Sequence, residues 1–268
     1  MPLPYTLTAP IGSRARLGLI VLQSDETIEP DLQLLFPERD IALYTGRVPS
    51  GADVTPETLA AMAEALPAAA RLLPPSISFD AVGYACTSGA TVIGPERVAA
   101  LISGAANAPR VTNPLTAAIA AMRALEVGRI GFISPYIEEV SAAMRARFEA
   151  AGIMIAAFDG YGIATEAVVA RIDPESTKAA ALDMGRRPEI EALFLSCTNL
   201  RTLEIIDAVE AELGKPVVSS NLALAWHMAQ LAGLGARPGL PGRLMRLAAE
   251  ESRAPIRLPP GSPPIAAP

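Results

Sequence analysis

The sequence predicts an α/β fold of two pseudo-symmetric lobes, each a parallel-type sheet flanked by helices. Short apolar runs, typical of buried parallel strands, alternate with longer helical patterns, and this order requires right-handed crossovers between parallel strands. The alternation also occurs twice, and in each half the third clear strand ends in Cys-Thr. Because ligands bind beyond the carboxyl ends of parallel strands, we expect a site in the cleft between the lobes.

The first series of elements lies before residue 114. Apolar runs predict strands over 17–23, 41–48 and 81–86. The clearest helix begins at Thr55, where threonine precedes proline and an acidic residue lies in the first turn, as at a helix N-terminus. Alanine-rich helical patterns follow residues 91 and 113.

The second series begins at Arg129. It predicts strands over 129–135, 153–159, 191–197 and 216–220, and a helix over 137–152 that ends at Gly152. Further helical patterns cover 165–172, 177–185, 202–213 and 222–233. We therefore expect a first lobe from 16–113 plus 221–250 and a second lobe from 114–220. Residues 1–15 and the proline-rich residues 251–268 are predicted to be terminal extensions.

Composition excludes several classes of function. The net charge of −6 and an aromatic content of 4% leave neither a basic stripe nor stacking platforms, so nucleic acid is not an expected partner. No apolar segment reaches the ~18–20 residues of a membrane span, and the first residues lack a signal-peptide pattern, so we expect a cytoplasmic protein without a membrane partner. The mean hydropathy of +0.33 favours burial of some surface in a homo-oligomer.

The residue types also argue against a metal or a cofactor. Two cysteines, one histidine and no Cys-x-x-Cys pattern do not make a structural zinc site. The first strand is followed by LQSDETIE and not by a glycine-rich dinucleotide fingerprint, and no phosphate-binding loop occurs elsewhere. We expect both thiols to be free and the site to need neither a metal nor a cofactor.

The two strand-end cysteines are the candidate catalytic residues. Cys86 is followed by Thr87 and Ser88, and Cys197 by Thr198 and Asn199, so each turn offers polar groups and backbone N–H groups to a carboxylate or oxyanion. Two thiols on opposite faces of a substrate carbon would remove and return a proton and so invert a stereocentre; one thiolate could instead add to an activated double bond. The alternative is that both cysteines are inert, buried apolar side chains.

Several segments carry a resemblance to a known family. They are GLIVLQSDETIEPD (18–31), YACTSGA (84–90), the run from Asn113 to Val140, YGIATEAVVARID (161–173), SCTNLRTLEIID (196–207) and GKPVVSSNLALAW (214–226). Their order and spacing resemble the aspartate/glutamate racemase superfamily, in the branch of maleate cis-trans isomerase, arylmalonate decarboxylase and the ectoine-utilisation racemase-like proteins. The resemblance covers Arg16 to Arg246.

The resemblance implies a set of site residues. The two catalytic cysteines match Cys86 and Cys197, the carboxylate-holding Thr-Ser pair matches Thr87 and Ser88, and a tyrosine that the isomerase and decarboxylase share matches Tyr136. Asp25 stands where the isomerase has an asparagine.

The replacement of an amide by a carboxylate at Asp25 bears on the substrate. An anion here would repel a dicarboxylate unless it is protonated or the substrate carries an ammonium group. Asp25 and Asn199 are therefore expected to tune recognition, and an amino-acid-like or amide-bearing acid fits better than maleate.

Other polar residues have more ordinary interpretations. Thr165 and Glu166 have the pattern of helix-capping residues, and Asn221 is placed to cap the last helix. His227 lies in an apolar helix and is expected to be packed rather than catalytic.

The sequence thus predicts a cofactor-independent isomerase or racemase of a small carboxylic acid, either amino-acid-like or an unsaturated dicarboxylate. A decarboxylase of a malonate derivative and a non-catalytic small-acid binding protein are the alternatives.

Overall fold

Two parallel four-stranded sheets organise the chain in the computed structural model, which describes residues 2–247. The first sheet consists of β1 (Ala15–Leu22), β2 (Ile41–Val48), β3 (Ala81–Ala85) and β4 (Val111–Thr112), in the spatial order β2-β1-β3-β4. The second consists of β5 (Arg129–Tyr136), β6 (Met154–Ile163), β7 (Ala192–Leu195) and β8 (Val217–Ser219), in the order β6-β5-β7-β8. Each half places its strands in the same relative order, which confirms the predicted fold class.

Helices connect the strands in both halves. Those of the first half are α1 (Ile28–Leu35), α2 (Pro56–Arg71), α3 (Thr87–Ile93) and α4 (Pro95–Ser103). The remaining helices are α5 (Pro114–Ala124), α6 (Glu138–Ala150), α7 (Glu166–Val169), α8 (Pro174–Gly185), α9 (Ile206–Leu213), α10 (Ser220–Leu231) and α11 (Arg243–Arg246). None of the helices within residues 2–247 is long and apolar enough to cross a membrane.

Local sequence explains where these elements begin. Thr55 caps α2 by accepting a hydrogen bond from the backbone N–H of Thr58, and Pro56 occupies the first helical turn, where a missing N–H costs nothing. The strands β1 and β3 are apolar along nearly their whole length because helices cover both faces of the sheet, and β3 is completely buried.

The observed elements differ from the predicted ones mainly at their ends. Strand β6 continues to Ile163 because it stays paired with β5 through two register irregularities. The helix predicted from Thr202 begins as a 3₁₀ turn over Leu203–Ile205 before α9. The two-residue strand β4 and the one-turn helix α11 were not predicted, because such short elements carry no periodicity.

The lobe boundaries stay a prediction. Helix α10 packs against β3 and α5, which supports the return of the chain to the first sheet near residue 220. Residues 2–14 form no helix or strand, in keeping with the predicted extension. The extension predicted for 251–268 lies outside the described residues.

Candidate active site

Cys86 lies between the end of β3 and the start of α3. Its thiol accepts a hydrogen bond from the backbone N–H of Gly89 at 3.1 Å, so it occupies the N-cap of α3, and the Ser88 hydroxyl lies 3.6 Å from the sulfur. The side chain is 2% exposed. Burial raises the pKa of the Cys86 thiol to about 12, against the opposing effect of these two donors.

Cys197 follows β7 in an unusual backbone conformation, with a φ of 98°. Its sulfur accepts a hydrogen bond from the backbone N–H of Asn199 at 3.2 Å and lies 2.8 Å from the phenol oxygen of Tyr136. Its own backbone N–H donates to the Ser220 hydroxyl at 3.0 Å. Because a non-glycine residue with positive φ persists only when its surroundings hold it, these contacts fix the direction of the thiol.

The two Cys-Thr turns contact each other. The Thr87 hydroxyl lies 2.8 Å from the Ser220 hydroxyl, which in turn accepts the N–H of Cys197. The Thr198 hydroxyl donates to the backbone oxygen of Ala85 at 3.3 Å. Residues next to one cysteine are thus bonded to residues next to the other, so the two strand ends predicted to face each other do meet in the structure.

Glu166, at the start of α7, lies beside the second thiol. One carboxylate oxygen accepts a hydrogen bond from the Tyr136 phenol at 2.9 Å, and the other accepts from the Asn199 amide at 3.0 Å. The side chain is 3% exposed. Burial raises the pKa of Glu166, and the negative charge of Asp25 adds to this effect, while the two donors oppose it.

Asn199 connects this cluster to the loop after β1. Its side-chain oxygen accepts from the backbone N–H of Glu26 at 2.9 Å, and its backbone oxygen accepts from the Thr27 hydroxyl at 3.0 Å. Since the amide nitrogen of Asn199 also donates to Glu166, one side chain joins loops from both halves of the chain.

Asp25 is buried at the start of α1, with 4% of its surface exposed. Its Oδ1 accepts from the backbone N–H groups of Thr27 and Ile28 at 2.8 and 2.9 Å, which otherwise lack partners at the helix start. Its Oδ2 has no hydrogen-bond partner within residues 2–247. Burial raises the pKa of Asp25, while these N–H groups, the nearby Thr198 hydroxyl and the charge of Arg47 oppose the shift.

Buried acidic groups and thiols thus lie together, and neither carboxylate forms an ion pair within residues 2–247. Burial raises the pKa of Cys197 well above its usual value, and the charge of Glu166 raises it further. Within the described part of the chain, no Lys, Arg or His side chain bonds to the carboxylate of Asp25 or Glu166; the nearby Arg47 donates to backbone oxygens, that of Asp25 among them. Burial therefore favours the protonated form of both thiols.

A short backbone pairing covers the cluster. The N–H of Val54 donates to the oxygen of Ala164 at 2.8 Å, and the N–H of Glu166 donates to the oxygen of Ala52 at 3.1 Å. The Thr165 hydroxyl adds a bond to the Asp53 carboxylate at 2.9 Å. The loop between β2 and α2 thus closes directly onto the residues that precede α7.

The structure brings together all eight residues that the sequence nominated. These are Cys86, Thr87, Ser88, Cys197, Thr198, Asn199, Tyr136 and Asp25, and their roles stay predictions. Among residues 2–247, no group of three or more His, Cys, Asp or Glu side chains could hold a metal ion. His227 bonds to Thr112 at 2.7 Å and takes no part in the cluster.

Two capping interpretations are wrong and one neighbour was missed. Glu166 points into the cluster, and the Thr165 side chain bonds to Asp53 instead of capping α7. Asn221 lies within α10, where its amide donates to Asp31 and to the oxygen of Thr198, because Ser219 caps this helix. Ser220 bridges the two turns, but an isolated serine at a strand end carries no sequence signal for such a contact.

Comparison with known proteins identifies the family to which the chain belongs. Two equivalent parallel sheets, each with a cysteine at the end of its third strand, define a two-lobed α/β protein with its candidate site where the strand ends meet. A family model described as arylmalonate decarboxylase matches residues 17–245. The chain belongs to this family of enzymes, which confirms the resemblance found in the sequence.

Individual relatives include two enzymes. The maleate isomerase of Nocardia farcinica is 29% identical over 245 residues, covering 86% of this chain and 95% of that protein. The arylmalonate decarboxylase of Bordetella bronchiseptica is 36% identical over 140 residues, covering 50% of this chain and 56% of that protein.

Two solved structures extend the comparison. One is a cysteine-to-serine variant of the Nocardia farcinica isomerase with a covalently bound succinylcysteine intermediate; it has a TM-score of 0.75 and 28% identity, and the match covers 87% of this chain and 98% of that one. The other is a liganded arylmalonate decarboxylase with one glycine changed to cysteine and one cysteine to serine. Its TM-score is 0.76 and its identity 30%, over 86% of this chain and 98% of that one.

Proposed function

We propose that this protein is a cofactor-independent isomerase or racemase of a small carboxylic acid, with Cys86 and Cys197 as its two catalytic groups. The observation that carries the proposal is the contact between the two Cys-Thr turns, together with the charge of Glu166, which acts on both buried thiols. Family membership and the resemblance to maleate isomerases support it.

In racemisation, one cysteine acts as base and the other as acid. The thiolate of the first takes the proton from the carbon next to the substrate carboxylate, and the electron pair moves onto the carboxylate as an enediolate. The thiol of the second then donates its proton to the opposite face of the same carbon. Because burial raises both thiol pKa values, one thiol has to release its proton to solvent as the substrate enters, which leaves one thiolate and one thiol for the reaction.

In cis-trans isomerisation, the same groups act by addition. One thiolate adds to a carbon of the double bond, the single bond that results rotates, and the sulfur leaves as the double bond reforms. The succinylcysteine reported for the Nocardia farcinica relative is an adduct of this kind and supports the route for the family.

The polar groups around the thiols serve the charged intermediate in either reaction. The Tyr136 phenol, 2.8 Å from the Cys197 sulfur, is placed to donate to a developing oxyanion. The hydroxyls of Thr87, Ser88 and Thr198 lie at the same strand ends. A preorganised donor of this kind is typically worth about 2.7–4 kcal/mol in the transition state.

Solvent deuterium exchange tests the proposal. The protein is incubated in deuterated water with amino, N-acyl-amino and unsaturated dicarboxylic acids, and deuterium at the substrate α-carbon, double-bond geometry and released carbon dioxide are measured. We expect exchange or isomerisation without carbon dioxide, and loss of turnover in Cys86→Ala and in Cys197→Ala. Equal turnover by both variants and the parent would refute the two-thiol mechanism.

Decarboxylation of a malonate derivative is the second candidate. The family model and the 36% identity to the Bordetella bronchiseptica decarboxylase favour it, and Cys197 would then protonate the enediolate left by carbon dioxide. Two thiols on opposite faces would erase the stereochemistry of that protonation, which is why isomerisation is the preferred function. Release of carbon dioxide from a malonate derivative added to the same assay would identify the decarboxylase. A cytoplasmic location, self-association and the ectoine-utilisation branch stay predictions.

A further inference from the structure

Two carboxylates in the candidate site have spare hydrogen-bonding capacity. The carboxylate of Glu166 accepts one bond at each oxygen, from Tyr136 and Asn199, whereas an ionised carboxylate offers about four acceptor positions. The Oδ2 atom of Asp25 has no partner within residues 2–247, although the side chain is more than nine-tenths buried. A buried, unpartnered carboxylate oxygen is costly unless a ligand supplies a donor.

No cationic side chain within residues 2–247 bonds to either carboxylate, and the positive charge that acts on Asp25 is that of Arg47, which bonds to backbone oxygens. The donors that Glu166 and Asp25 have are neutral hydroxyl, amide and backbone groups. The acidic charges also act on the second thiol, since Glu166 and Asp25 both raise the pKa of Cys197. A dicarboxylate substrate would add two negative charges to this region, where Glu166 and Asp25 have no ion-pair partner among residues 2–247.

We propose that Glu166, together with Asp25, determines specificity by binding an ammonium group of the substrate, so that the site takes an amino acid in preference to the acid of the same carbon skeleton that lacks the amino group. This rests on the proposed function only in assuming that the ligand occupies the region between the two thiols. The substrate carboxylate is held by the hydroxyl and backbone donors of the Cys-Thr turns, and the ammonium group meets the two acidic side chains.

The electrostatics of the empty protein agree with this assignment. Burial raises the pKa of both Glu166 and Asp25, so each carboxylate is held in surroundings that disfavour its charge. An ammonium group between them would supply the missing counter-charge and up to three donors.

Matched ligand pairs test the proposal by binding alone. Isothermal calorimetry compares aspartate with succinate and alanine with propionate, because the members of each pair differ by one amino group. We expect the amine-bearing member to bind at least about tenfold more tightly, the ratio that one charge-assisted hydrogen bond supplies. Equal affinities, or tighter binding of succinate than aspartate, would overturn the proposal.

Charge-neutralising variants locate the effect. In Glu166→Gln, which keeps an acceptor for Tyr136, aspartate should bind at least about tenfold more weakly while succinate binds equally or more tightly. Glu175→Gln removes an exposed carboxylate that pairs with Lys178 and should leave both affinities unchanged. A Glu166→Gln variant that keeps the parental ratio would contradict the assignment; if it does not fold, Asp25→Asn provides the same test, because its Oδ1 still accepts the N–H groups of α1.

The outcome is separable from that of the proposed function. If aspartate binds in preference to succinate but shows no deuterium exchange, the specificity assignment stands and the isomerase proposal fails. If dicarboxylates bind and turn over while amino acids do not, the reverse holds.

Discussion

Removal of the Ser220 hydroxyl tests how the two thiol turns are held together. Ser220→Ala deletes the contact to the Thr87 hydroxyl at 2.8 Å and the acceptor for the Cys197 N–H at 3.0 Å, in a completely buried position. Two lost hydrogen bonds at about 1 kcal/mol each, with a buried N–H left unpaired at a further 1 kcal/mol or more, predict a loss of about 2–4 kcal/mol in the free energy of unfolding.

Urea unfolding monitored by circular dichroism measures this loss. With a denaturant slope of about 2–3 kcal/mol per molar, the midpoint should fall by about 1 M. The control is Ser76→Ala, which changes an exposed serine and should stay within about 0.5 kcal/mol of the parent. A shift for Ser220→Ala as small as that of the control would refute the argument that this hydroxyl connects the turns.

A double-mutant cycle isolates the bridge itself. Thr87→Val removes the other partner of the 2.8 Å contact, so the effects of Thr87→Val and Ser220→Ala should be non-additive by about 0.5 kcal/mol or more. Strict additivity would mean that each hydroxyl stabilises the fold independently. Because Ser220 also orients the backbone of Cys197, we expect turnover to fall in Ser220→Ala even under conditions where the variant is fully folded.

Three further perturbations follow from the site and its surroundings. Tyr136→Phe keeps the ring but removes the donor to Glu166 and the contact to Cys197, so deuterium exchange into substrate should slow by about 100-fold or more. A rate within about threefold of the parent would show that the Tyr136 phenol does not stabilise an oxyanion. Gly89→Ala would place a methyl group 2.5 Å from the Tyr84 hydroxyl and 2.9 Å from the Cys86 sulfur. This overlap should lower the free energy of unfolding, measured in urea, by about 1–3 kcal/mol. The control Gly128→Ala, whose added methyl group would have its nearest neighbour at 3.8 Å, should leave stability unchanged. Burial raises the pKa of Asp31 from 3.8 to about 6, so between these pH values the folded chain binds more protons than the unfolded chain and its stability falls as the pH rises. Asp31→Asn should therefore flatten the pH dependence of the unfolding free energy between about pH 4 and 6. An unchanged slope would contradict the shift.

Much of the fold could be predicted because burial leaves a simple pattern. Fully buried parallel strands such as β1 and β3 are continuous apolar runs, and the helix at Pro56 has its start encoded by Thr55. The two cysteines could be nominated because they are the only ones in the chain and because both follow such strands. Short elements and strand ends could not be placed, since pairing with a neighbouring strand decides them.

The parts of the site that escaped prediction depend on long-range contacts. Glu166 has the sequence pattern of a helix-capping residue, and only the approach of Tyr136 and Asn199 from other strands turns it into a buried member of the site. Ser220 meets Thr87 across 133 positions of sequence, a contact that no local pattern encodes. At Asp25 the sequence alone predicted that a carboxylate would repel a dicarboxylate substrate. Only the structure shows that the Oδ2 atom of this side chain lacks a hydrogen-bond partner within residues 2–247.

The backbone pairing between residues 52–54 and 164–166 has a consequence for the proposed substrate. These segments bond directly to each other over the cluster, through Val54 to Ala164 and Glu166 to Ala52. Under the proposed function, a free acid small enough to lie beside Glu166 leaves both of these backbone bonds intact, whereas an acid tethered to a carrier through this seam would have to break them.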